Sequence, residues 1–215
     1  MSTSLRITEI FYSLQGEART VGRPTVFVRL TGCPLRCEYC DTAYAFSGGL
    51  VYQLEQIMLE VASYKPQYVT VTGGEPLAQN ACLDLLRGLC DQSYEVSLET
   101  SGAMDVSKVD PRVVKVMDLK TPASKEMDKN LESNIDHLLP HDQLKFVICD
   151  RADYDWAKAK MLEFNLTEKV SDVLLSPSND VLDPRELAEW ILADNLPVRF
   201  QLQLHKYLWG NKSGH

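Results

Sequence analysis

"TVFVRLTGCPLRCEYCDT", Thr25–Thr42, sets a short β-branched run directly against a loop carrying three cysteines at spacings of four and three. The run reads as a strand, and the loop that leaves it is polar and glycine-bearing. A strand followed by such a loop is the unit from which parallel sheets build sites at their carboxyl edge. The same unit recurs in "YVTVTGG", "EVSLETSG", "VVKVMDLK", "LKFVICD", "DVLLSPSN" and "VRFQLQLH". Several of these are apolar enough to read as strands covered on both faces.

Between the strands, "LEQIMLEVASY", "NACLDLLRGLCDQ", "ADYDWAKAKMLEFN" and "DPRELAEWILADN" place apolar residues at helical spacing. Asn80 and Asp183 suit helix N-caps, and Pro184 suits a first helical position. This alternation predicts an α/β fold with parallel strands and crossover helices. Thr121–His141 has no clear helical period and reads as an irregular crossover or a lid.

At 215 residues and 45% hydrophobic content, the chain fits one domain, 1–215, with a sizeable core. The N-terminus lacks a signal-like apolar core, and no apolar run approaches the roughly 20 residues of a membrane helix. A soluble, cytoplasmic protein with no membrane partner is expected. In a reducing compartment the six cysteines point to metal or redox chemistry before disulfides. A net charge of -8 without a Lys/Arg run argues against nucleic acid as a partner, though local cations could still hold a small anion.

A structural zinc would need a fourth ligand beyond Cys33, Cys37 and Cys40, such as His137 or His141 from far along the chain. Three thiolates can instead cap three irons of a 4Fe-4S cubane and leave the fourth open to an exogenous ligand. Cys82 and Cys90 sit among leucines on one predicted helix and Cys149 ends a strand, so each reads as a small buried apolar residue.

"CPLRCEYC" resembles the CxxxCxφC motif of the radical S-adenosylmethionine (SAM) enzymes, and "TGGEP" resembles their GGEP motif. More narrowly, "EIFYSLQGEARTVGRPTVFVRLTGCPLRCEYCDT", "ETSG", "DLKTP" and "QLQLHKYLWG" are similar to the 7-carboxy-7-deazaguanine synthases over essentially the whole chain. That resemblance implies an incomplete TIM-like β/α barrel of the radical SAM type, with a short N-terminal substrate-binding extension. It implies a lyase that turns 6-carboxy-5,6,7,8-tetrahydropterin into 7-carboxy-7-deazaguanine with release of ammonia. A 4Fe-4S cluster, SAM and Mg2+ are the cofactors it implies, and its partners would be a flavodoxin- or ferredoxin-like reductant and a second copy in a homodimer.

The resemblance also assigns residues. Cys33, Cys37 and Cys40 would hold the cluster, and Tyr39, Gly74, Glu75, Ser101, Lys120 and Ser176 would meet SAM. Leu14, Gln15, Gly16, Glu17, Arg29, Thr72 and His205 would meet the pterin, and Thr42 would ligate Mg2+. Amide and carboxylate side chains at Gln15 and Glu17 suit a pterin edge, which offers both donors and acceptors. Arg29 suits a carboxylate, and on an otherwise apolar strand it needs a partner if buried. A glycyl-radical activating enzyme shares the cysteine motif and the GGEP-like turn, and a non-enzymatic iron-sulfur or zinc module is the further alternative. The polar tail "GNKSGH" departs from relatives whose terminal carboxylate approaches the substrate.

Overall fold

The computed structural model describes residues 3–210 together with Lys212 and Gly214. Asn211, Ser213 and His215 of the tail "GNKSGH" therefore lie outside the described residues. The chain runs β1 (Ser4–Leu14), β2 (Pro24–Leu30), β3 (Leu50–Gln53), α1 (Leu54–Ser63), β4 (Tyr68–Gly73), α2 (Cys82–Asp91) and β5 (Glu95–Thr100). It continues β6 (Val114–Asp118), β7 (Gln143–Ile148), α3 (Arg151–Glu163), α4 (Leu166–Lys169), β8 (Asp172–Pro177), α5 (Pro184–Ala193), β9 (Arg199–Phe200) and α6 (Leu204–Trp209). One sheet holds all nine strands in the order β3-β1-β2-β4-β5-β6-β7-β8-β9. From β2 to β9 neighbours are parallel, while β1 runs antiparallel to both β2 and β3. The ladder ends at β9, so the barrel is incomplete.

Each central strand sorts its side chains by the two-residue pleat. Val69 and Val71, Val96 and Leu98, Leu144 and Phe146, and Val173 and Leu175 face the helices and join one apolar core. Their neighbours Thr72, Glu99, Asp118, Lys145 and Ser176 line the interior. This corrects the expectation of strands apolar on both faces: only the helix side is an oil layer. On α2, Cys82, Leu85, Leu86, Leu89 and Cys90 form the buried stripe, so both cysteines are core residues.

β1 was not foreseen in the N-terminal stretch, and it carries a bulge. Ile7 pairs with Leu30 but Glu9 pairs with Arg29, leaving Thr8 as an extra residue. Leu5 and Ile7 lie in the core before the bulge and Ile10 packs on it afterwards, so parity flips and Glu9 and Phe11 turn towards the interior.

Two local readings are corrected. Ala81, not Asn80, occupies the N-cap of α2 and makes no side-chain cap bond. Asp183 does cap α5, accepting from Arg185 N, with Pro184 as its first residue. In "VRFQLQLH" only Arg199–Phe200 pairs as strand, and helix α6 starts at Leu204. Thr121–His141 is a crossover of short 3-10 turns, Pro122–Ser124, Met127–Lys129 and Glu132–His137. It braces the cysteine loop, since Glu126 Oε1 accepts from Arg36 N at 2.6 Å and Ser124 O from Glu38 N at 3.1 Å.

The β1–β2 loop folds inward beneath the barrel. Ala18 packs on Val116 and Leu174, and Arg19 N donates to Gln143 Oε1 at 2.9 Å. The C-terminal segment then crosses the open side: Ala18 N donates to Gln201 Oε1 at 2.6 Å and Leu204 N to Gly16 O at 3.0 Å. Floor and side are thus closed by two segments distant in sequence.

Candidate active site

A cavity of about 560 Å3 opens at the carboxyl edge of the parallel strands. Its rim carries Cys33, Cys37, Tyr39, Cys40 and Thr42, its far wall Gly74, Ser101, Lys120 and Ser176, and its floor Leu14, Gln15, Gly16 and Glu17. Arg29, Thr72 and His205 complete it. All the sequence-predicted site residues except Glu75 meet in this one space.

Glu75 is a correction. Its carboxylate is fully buried and is occupied by Thr100 Oγ1 at 3.0 Å, Ser101 N at 2.7 Å, Ser101 Oγ at 2.6 Å and Leu77 N at 3.0 Å. It ties the glycine turn to the end of β5 instead of lining the cavity. Gly74 shows how tightly that turn meets the cysteine loop: a Cβ there would lie 2.4 Å from Gly32 O and 2.7 Å from Cys33 Cβ. A side chain has no room.

The three cysteines are half-buried on a loop without helix or strand. Burial pushes the Cys33 thiol up and the Cys37 thiol up to about 11, so metal must displace the protons for either to act as a thiolate. Among the described residues no three His, Cys, Asp or Glu side chains converge on one ion. Three cysteines on one loop suit a multinuclear cluster with one thiolate per iron and fall one ligand short of a structural zinc. Cys149 is half-buried at the end of β7.

On the floor, Gln15 Nε2 donates to Thr70 Oγ1 at 3.0 Å and Glu99 Oε1 at 3.4 Å, and Thr72 Oγ1 donates to Glu99 Oε2 at 2.9 Å. Glu17 is ion-paired with Lys145 and accepts from Gln203 Nε2 at 2.8 Å. Burial alone would raise the Glu17 carboxyl, but Lys145 and Gln203 hold it below 4.5. Glu99 goes the other way, raised by burial and by the charge of Glu17. Burial lowers His205, which favours the neutral imidazole, and a Cβ on Gly16 would meet its Nδ1 at 2.2 Å. The glycine is what lets imidazole and floor touch.

Near the cysteine rim Lys120 Nζ bonds Asp118 Oδ2 at 2.9 Å and lies 5.9 Å from the Tyr39 ring centroid. Asp118, which lines the cavity, keeps its Oδ1 buried with no hydrogen-bond partner among the described residues. Thr42 Oγ1 gives its proton to Asp41 Oδ1 at 2.7 Å, leaving its lone pairs available. Burial would raise Asp41, but the Thr42 hydroxyl and Lys206 bring it down to about 2. Sequence reasoning missed Asp41, Glu99, Asp118, Lys145, Gln203 and Lys206. The period-2 pattern in "VSLET", "VKVMD" and "LKFV" marks Glu99, Asp118 and Lys145; nothing local marks the others.

The chain matches the Radical SAM superfamily over residues 27–119. It is 45% identical to the 7-carboxy-7-deazaguanine synthase of Chlorobaculum tepidum, with 97% of each chain covered. To that of Koribacter versatilis it is 43% identical, over 95% of this chain and 97% of the relative. The crystal structure of QueE from Escherichia coli shares the fold, with a TM-score of 0.79 at 23% identity over 94% of this chain and 95% of that one. With a cysteine-rimmed cavity at the edge of an incomplete barrel and such likeness along nearly its full length, the chain belongs to the 7-carboxy-7-deazaguanine synthase family.

Proposed function

We propose that this cavity converts 6-carboxy-5,6,7,8-tetrahydropterin to 7-carboxy-7-deazaguanine with loss of ammonia. The observation that carries the reading is the meeting, in one cavity, of three cysteines at the rim with Gln15, Glu17 and Arg29 on the floor and wall. Cys33, Cys37 and Cys40 would hold a 4Fe-4S cluster, and Gly74, Ser101, Ser176, Tyr39 and the Lys120–Asp118 pair would surround SAM. When bound, cluster and SAM together supply a 5'-deoxyadenosyl radical that takes hydrogen from the substrate.

The chain's own residues bind, orient and exclude water. Arg29 receives the substrate carboxylate, Gln15 and Glu17 read the pterin edge, and Thr72 and His205 flank it. Glu17, held ionised by Lys145, accepts from ring N–H groups. Thr42 offers an oxygen to Mg2+, whose octahedron needs few protein ligands when substrate oxygens and water supply the rest. Likeness to 7-carboxy-7-deazaguanine synthases along nearly the whole chain disfavours a glycyl-radical activating enzyme.

No helix among the described residues is long and apolar enough to cross a membrane. A cytoplasmic homodimer served by a flavodoxin- or ferredoxin-like reductant completes the reading. Its test is anaerobic incubation of the iron-loaded protein with SAM, Mg2+, reductant and the carboxytetrahydropterin. A product with the mass of 7-carboxy-7-deazaguanine is expected; its absence with a full complement of about four irons per chain refutes the reading.

A further inference from the structure

Arg29 is held in an unusual way. Its Nε donates to Glu9 Oε1 at 2.7 Å, and its guanidinium carbon lies 5.7 Å from the Phe11 ring centroid and 5.9 Å from that of Tyr44. The terminal nitrogens make no hydrogen bond among the described residues, although the side chain is only 15% exposed. A guanidinium offers five N–H donors in a fixed plane. One of them is spent on Glu9, and the four on the terminal nitrogens remain for the cavity that Arg29 lines.

Glu9 reaches that position because of the β1 bulge. Were Thr8 an ordinary paired residue instead of a bulge, the pleat would put Glu9 on the core face with Leu5 and Ile7. Tyr44 Oη donates to the same Oε1 at 2.8 Å, fixing the acceptor from a second side. Glu9 itself does not line the cavity.

We infer that Glu9 is a positioning residue, which anchors Arg29 through Nε so that its two terminal nitrogens present a planar fork to the carboxylate of a carboxylated pterin. The inference rests on the proposed substrate reading of Arg29. It also opposes the simplest electrostatic expectation, in which an anion beside the site repels an anionic substrate and its removal tightens binding. An anchored fork gives two parallel, charge-assisted bonds, and an unanchored one swings between the rings.

The test measures affinity calorimetrically for 6-carboxypterin and for pterin lacking the carboxylate, using cluster-loaded protein with SAM and Mg2+. Glu9→Ala should weaken 6-carboxypterin at least tenfold and leave unsubstituted pterin within twofold. Glu9→Gln keeps an acceptor oxygen and drops the charge, so it should bind 6-carboxypterin as well as the parent or better. If Glu9→Ala unfolds, Glu9→Met keeps the length without the acceptor and should show the tenfold, carboxylate-selective loss. Equal losses for both ligands, no loss in the Ala or Met variant, or a Gln variant as weak as the Ala variant would each overturn the inference. Arg29→Ala is the separating control. Unchanged 6-carboxypterin affinity there removes the substrate reading itself, whereas a loss there with none in Glu9→Ala removes only the role of Glu9.

Discussion

In a Lys145→Met variant the Glu17 carboxylate would keep its burial and lose its ion pair. Removing one partner of a buried pair costs about 3–5 kcal/mol when the remaining charge cannot escape. Glu17 can escape by taking up a proton, so the penalty depends on pH and its sign can be worked out. In the parent, Glu17 is held below its ordinary value of 4.5 by Lys145 against the upward push of burial. It therefore contributes stability above the unfolded value, and that contribution fades as pH falls through the lowered folded value.

In the variant burial is opposed only by the Gln203 and Gln201 bonds and the charge of His205, and the folded value rises above the unfolded one. Stability is then fullest at acid pH and is lost as pH climbs through the raised value. Glu99 adds to the trend, because Lys145 also restrains its upward shift. Urea unfolding of iron-matched parent and variant, both kept anaerobic, should show a gap approaching about 3–5 kcal/mol at alkaline pH that narrows under acid conditions. With urea slopes of about 1–3 kcal/mol/M, that is a midpoint loss of roughly 1 M or more. A gap independent of pH, or one that widens towards acid, would refute the charge arrangement drawn here.

Cys33→Ala, Cys37→Ala and Cys40→Ala should each lose iron and turnover, while Cys82→Ala, Cys90→Ala and Cys149→Ala keep bound iron and sulfide; iron analysis decides. Gly74→Ala should retain its fold but lose iron faster than the parent under a chelator, because the new Cβ would press on Gly32 O at 2.4 Å. Thr42→Val should keep cluster and SAM binding and lose Mg2+ stimulation of turnover, and Thr42→Ser should keep much of it, as read in steady-state assays across Mg2+ concentrations. Arg29→Lys should weaken the carboxylated substrate by about 1–3 kcal/mol, since an ammonium cannot reproduce the planar fork; a dissociation constant equal to the parent's would exclude that contact.

Much of the fold was legible because it is written in local patterns. β-branched runs ending in glycine or polar loops marked β2, β4, β5, β6, β7 and β8, and the amphipathic stretches between them marked α1, α2, α3 and α5. What escaped notice depends on pairing. β1 looks like an undistinguished N-terminal stretch until β2 and β3 flank it, and the bulge at Thr8 exists only relative to Leu30 and Arg29. "QLQLH" alternates like a strand, yet Gln201 and Gln203 turn to Ala18 N and Glu17 and the chain coils into α6. Tertiary hydrogen bonds overrode a local strand pattern there.

The site divides along the same line. Residue types visible in motifs, the cysteines, the glycine turn, Gln15 and Glu17, do converge; the partners that set their charge are scattered. Every Lys or Arg lining the cavity among the described residues is bonded to a carboxylate: Arg29 to Glu9, Lys120 to Asp118, Lys145 to Glu17 and Lys206 to Asp41. Only Lys120 and Asp118 are neighbours in sequence, so only that pairing could have been guessed. The arrangement has a physical reason. A buried cavity with several free cations would be costly to fold before its ligands arrive, and paired charges with satisfied hydrogen bonds reduce that cost. Pairing also decides what is left over for ligands. Arg29 keeps its terminal nitrogens free of protein partners among the described residues, and Asp118 keeps one buried oxygen without a donor. Specificity in such a site comes less from net charge, which is -8 for the whole chain, than from which atoms each internal pair leaves unused.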